Sequence, residues 1–154
     1  MLSIKKLELY GESLKERIQG INHFLLLSEM VELEDSIKNL TQNQFPVLIF
    51  IEPSGDSAGN EDSQVWNWPC FAYVLKKFDH THETYRSRIN TKASLQDLIQ
   101  LVNDTMLADM HNHQPDSDHI HLMHRLQPSG MHIDPENDFL GCTGYSLSFK
   151  LITA

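Results

Sequence analysis

At 154 residues the chain has the size of one domain, long enough for a real hydrophobic core and short for two. Lys and Arg number 12 against 21 Asp and Glu, a formal net charge of −9 spread over both halves, so there is no basic half or tail. Phosphate neutralisation needs clustered cations, which argues against affinity-driven nucleic-acid binding and against adsorption to an anionic membrane surface.

The opening residues Met1 to Glu8 lack the apolar stretch and small-residue cleavage site of a secretory signal, so a cytoplasmic location is expected. Wholly apolar runs such as Val47 to Ile51 are far below the ~20 residues that span a bilayer. Residues 3–18 place Leu7, Tyr10, Leu14 and Ile18 at helical spacing among charged residues and predict an amphipathic helix, although Gly11 inside it costs about 1 kcal/mol relative to Ala. His23 to Leu27, between Gly20 and Ser28, reads as a short strand. A helix over about 29–40 follows, with Ser28 as its cap, carboxylates in the first turn, and Met30, Leu33, Ile37 and Leu40 on one face.

Phe45 to Ile51 is β-branched and aromatic around a single early proline, and is expected to be the central strand. The polar, acidic, Gly-containing residues 53–64 predict a long mobile loop. Trp66 to Phe78 reads as a long strand apolar on both faces, with Pro69 requiring an edge or a bulge. Leu95, Leu98, Ile99, Val102, Met106 and Met110 make 91–110 the clearest helix, with Ser94 and Asp97 as a capping-box variant. Tyr85 and Ile89 either extend it or lie beyond a break near Thr91.

His119 to Leu126 is expected to be a strand, and Phe139 to Ile152 an antiparallel strand with Tyr145, Leu147, Phe149 and Leu151 on one face and a wet face opposite. The order α, β, α, β, β, α, then β-rich, predicts one α+β sandwich domain over 1–154. Its mixed or antiparallel sheet is flanked by helices on one face.

Six of the nine histidines lie between His111 and His132. On a strand, His119 and His121 would project from one face about 7 Å apart. Zinc or nickel would accept that pair, with Asp116, Asp118 or His132 completing the shell. Solvated structural histidines explain the same residues without a ligand, since His111 and His113 lie at or beyond a helix end, where imidazoles suit the dipole.

His80-Thr81-His82-Glu83 is a second polar cluster, in which Asp79 and Thr81 also serve as helix-cap candidates. Cys70 and Cys142 read as reduced core thiols. Trp66 and Trp68 share one strand face, as core or as an interface. Neither Ser54-Gly55-Asp56 nor Ser129-Gly130 forms a nucleophile elbow, and Gly141-Cys142-Thr143-Gly144 lacks the Lys and helix start of a phosphate loop.

Several of these segments together resemble small phage or prophage proteins of the tail-terminator or tail-completion kind. They are the N-terminal amphipathic helix, the strand His23–Leu27, the helical Glu32-Leu33-Glu34-Asp35-Ser36-Ile37, the run Phe45 to Pro53 with its long polar loop, and the closing Asn137 to Phe149, where a short Gly-containing turn precedes an alternating aromatic strand. The resemblance implies an α+β fold, no enzymatic activity, no cofactor and no metal. It also implies a homo-oligomeric ring that caps the tail tube or joins it to a connector protein, in a virion or tail-like particle. An acidic ring would let DNA pass without gripping its phosphates. The stretch from His111 to His132 departs from the pattern. It carries the alternative, a metal-binding module or metal-dependent hydrolase using His119, His121, His124 and His132.

Overall fold

A computed structural model describes residues 1–79 and 81–154. The elements run α1 (Ile4–Arg17), β1 (His23–Leu27), α2 (Met30–Lys38), β2 (Val47–Ile51), β3 (Asp56–Ala58), β4 (Val65–Lys77), α3 (Tyr85–Met110), β5 (Leu126–Phe139) and β6 (Cys142–Thr153). Short 3-10 helices occupy Gln42–Gln44 and Ile120–Arg125. This is the expected α+β fold.

The strands form one mixed sheet in the order β1-β2-β4-β6-β5, with β3 on β4. Among the described residues only β1 and β2 run parallel. The run 45–51, expected at the centre, lies one strand in from the edge, and β4 takes the middle position. The reason is length. β4 has 13 residues, enough to pair with β2 over Phe71–Leu75, with β3 over Val65–Asn67 and with β6 over Trp66–Lys77. Pro69 falls between the β2 and β3 segments, at a local edge where no ladder donor is needed, and the β4–β6 register passes it without a bulge.

Alternate residues of a strand face opposite sides, and both sides are used here. Leu48, Phe50, Cys70, Ala72, Val74, Leu147, Phe149 and Leu151 point toward α1 and α3 and form the larger core with Leu7, Tyr10, Leu14, Leu95, Ile99, Val102 and Met106. Gly11 is part of that packing, since a Cβ there would stand 2.0 Å from the Phe24 ring. The two long helices thus share one face, as expected, but the expectation that all the helices lie there is corrected by α2. The short α2 covers the other face at the β1–β2 end, where Leu33 and Ile37 meet Leu27, Val47, Ile49, Tyr73 and Leu75. Toward β5 that second face turns polar, as expected for β6, although Ser146 is buried by its bond to Glu136.

Several local expectations are corrected. α3 is continuous from Tyr85 through Thr91, and its cap is Thr84, whose hydroxyl accepts from Ser87 N, rather than Ser94, Asp79 or Thr81. The cap residue of α2 is Glu29, and Glu32 reaches back to accept from the Ser28 amide. Of His119–Leu126, expected as a strand, only Leu126 is one, as the first residue of β5. Consecutive Leu122 and Met123 both bury against the larger core, which a tight 3-10 turn allows and strand alternation does not. The polar loop contains β3 at Asp56–Ala58, although no residue of 52–64 is buried.

Candidate functional site

The histidine segment begins where α3 ends. His111 is the C-cap residue, His113 follows in the turn, and His119 precedes the 3-10 helix that carries His121 and His124. Residues three apart eclipse on a 3-10 helix, so these two imidazoles come together, with Nδ1 atoms 3.5 Å apart and ring centroids at 5.0 Å. His124 Nε2 also meets the Asn112 carbonyl oxygen, and the His113 ring lies 6.3 Å from that of His124. His132 is on β5, where its Nε2 faces Asp134 Oδ1 at 3.0 Å. The structure therefore groups His113, His121 and His124, whereas His119 and His121, expected side by side on a strand, are separated by the turn. Among the described residues, no three His, Cys, Asp or Glu side chains already converge to hold an ion.

The second polar cluster is a loop turn. Asp79 Oδ1 accepts from the Thr81 amide and hydroxyl, and these bonds hold its carboxyl below the usual range. His82 lies 3.6 Å from Asp79, while Glu83 accepts from Ser87 on α3. His80 lies outside the described residues. Both thiols are buried, and burial pushes them up, Cys70 to about 12 and Cys142 to about 11. Trp68 packs against the larger core, donates to Thr153 Oγ1 at 3.0 Å and stacks with Trp66 at 6.1 Å; Trp66 itself is half-buried and touches the core through Trp68.

Sequence reasoning missed Lys92. It continues the buried stripe of α3 through Leu95, Ile99 and Val102, and a charge on an apolar stripe is the signal that would have found it. Its Nζ donates to Gly144 O at 3.0 Å and sits 4.4 Å from the Tyr145 ring centre. Burial draws its pKa down, with Glu136 opposing. Lys92 lines a cleft of about 450 Å³ with Arg88, Asn137, Thr143 and Tyr145, and it ties α3 to the β5–β6 hairpin.

The sheet ends are unlike. β1 is five residues long, without proline, and pairs only with β2 among the described residues. β5 has 14 residues, carries Pro128 and Pro135, shifts register twice and, among the described residues, pairs only with β6. No known family profile matches the chain, and no curated protein is detectably similar to it in sequence. Among the described residues, no helix is long and apolar enough to cross a membrane.

Proposed function

We propose that the chain is a non-enzymatic structural subunit of the tail-terminator or tail-completion kind, one that joins head to tail with further copies into a ring at the end of a tail tube. The observation that supports this reading is the pair of unlike free edges at opposite ends of one sheet, β1 and β5. A free edge is a template for another chain's backbone, and contact between two different patches is heterologous, which builds a ring when the rotation closes. The register shifts and prolines of β5 limit indiscriminate pairing at that edge while leaving its residues exposed for a specific contact. In this reading the partners are copies of the chain and tail-tube or connector proteins, the assembly belongs to a virion or tail-like particle, and no cofactor takes part.

Cross-linking tests the head-to-tail contact. With a short bis-maleimide at high protein concentration, the double variant His23→Cys with Asp134→Cys is expected to give a ladder ending at a finite ring size, and each single variant none. Dimers from a single variant would indicate an isologous contact, and no ladder from the double variant would remove the proposed interface.

A further inference from the structure

The imidazole pair on the 3-10 helix brings two ring nitrogens face to face at the long limit of a hydrogen bond. His124 Nε2 faces the Asn112 carbonyl oxygen. A carbonyl only accepts, so Nε2 is the donor in this contact, and the tautomer that makes it leaves Nδ1, the nitrogen facing His121, with a lone pair to offer an ion. A ring N–H donated to a backbone carbonyl is also the usual support of a metal-bound histidine, because it sets tautomer and orientation.

The distances point the same way. The Nδ1 atoms are 3.5 Å apart, longer than the usual reach of an N–H hydrogen bond. Two imidazole nitrogens at about 2.05 Å from a tetrahedral ion stand about 3.3 Å apart, with ring centroids about 5.2 Å apart. The observed centroid separation is 5.0 Å.

We propose that His121 and His124 chelate one divalent transition-metal ion of the zinc class through their Nδ1 atoms. Imidazole nitrogen suits zinc, nickel and copper and disfavours magnesium and calcium. A further imidazole, His113, lies at 6.3 Å between its ring centre and that of His124, about 1 Å beyond the spacing of a bound ligand. Water completes the shell, and the chelate is open on its solvent side because both rings are exposed. His119 and His132 take no part, the latter being engaged by Asp134. This site is independent of the ring reading and stands or falls separately.

The test uses the untagged full chain and Zn²⁺ alone, titrated in competition with a chromophoric chelator, with Co²⁺ absorption as a second probe. One ion per chain is expected. His121→Ala and His124→Ala should each weaken binding by roughly tenfold or more, while His119→Ala and His132→Ala leave it unchanged. In the wild-type protein, Zn²⁺ should shift the side-chain ¹⁵Nδ1 resonances of His121 and His124, a readout that needs no variant to fold. Absence of saturable binding, unchanged affinity in both His121→Ala and His124→Ala, or ¹⁵N shifts confined to other histidines would overturn the assignment.

Discussion

Arg17 and Asp109 form a two-pronged ion pair across 92 residues of chain, Nη1 to Oδ1 at 2.9 Å and Nη2 to Oδ2 at 2.7 Å. The pair joins the C-terminal ends of α1 and α3 over the larger core. Tyr10 completes it, its hydroxyl donating to Asp109 Oδ2 at 2.6 Å. Asp109 is only 5% exposed, so its charge depends on these partners.

Removing the shared acceptor should be the costliest change in this cluster. Asp109→Ala strands the Tyr10 hydroxyl and the Arg17 guanidinium and is expected to destabilise by about 3 kcal/mol, toward the low end for a buried pair because Arg17 keeps partial access to water. Tyr10→Phe removes one hydrogen bond and should cost about 1–2 kcal/mol. Urea unfolding of both variants measures the order, and an Asp109→Ala midpoint at the wild-type value would refute it.

The same cluster gives a signed pH dependence. Burial, then the Asp109 contact, raises the Tyr10 pKa well above its ordinary value of 10.0. Above about pH 10 the unfolded phenol loses its proton while the folded one retains it, so the native state binds more protons and stability falls as pH rises. Below that pH both states are protonated and the contribution is fully present. Tyr10→Phe should flatten this alkaline slope relative to wild type in thermal unfolding followed from pH 8 to 11. Equal slopes would show that another group carries it.

Gly11 should tolerate no methyl group. Alanine would gain about 1 kcal/mol of helix propensity, but its Cβ would stand 2.0–2.7 Å from three Phe24 ring carbons. The strain of overpacking, about 1–3 kcal/mol, exceeds that gain. Gly11→Ala should therefore lower the melting temperature, whereas Gly11→Ala combined with Phe24→Leu should recover part of the loss. A stabilised single variant would mean that the helix does not approach β1 this closely.

These cases mark where the sequence is legible. The stripe Leu95–Met106 and the alternation of β6 follow from burial on one side, and both helix and strand stand where their periods put them. The first turns of α3 carry no such signal because they face water, Tyr85 being 70% exposed, so periodicity could not place its start at Thr84. The edge strand β5 is equally silent, with mostly exposed residues, two prolines and two register shifts. The His-x-His spacing imitates strand alternation, yet Leu122 and Met123 impose a 3-10 turn, and that turn pairs His121 with His124 rather than with His119. Contacts such as Arg17–Asp109 join distant segments and leave no local pattern.

Both thiols should be inert in the folded chain. Cys70 lies in the larger core and Cys142 in the smaller one, on opposite faces of the sheet, so they cannot bridge each other, and burial keeps both protonated at neutral pH. A colourimetric disulfide reagent should titrate two equivalents only after unfolding. Rapid reaction of either in native buffer would contradict its placement.

The proposed ring assembly at a tube end is tested most directly by mixing the purified protein with any tail-tube protein encoded beside it and imaging the product by negative-stain electron microscopy. Tubes of limited length, each carrying a ring of this chain at one end, are the result expected from head-to-tail association through the β1 and β5 edges. Tubes that grow without limit and carry none of the protein would contradict it.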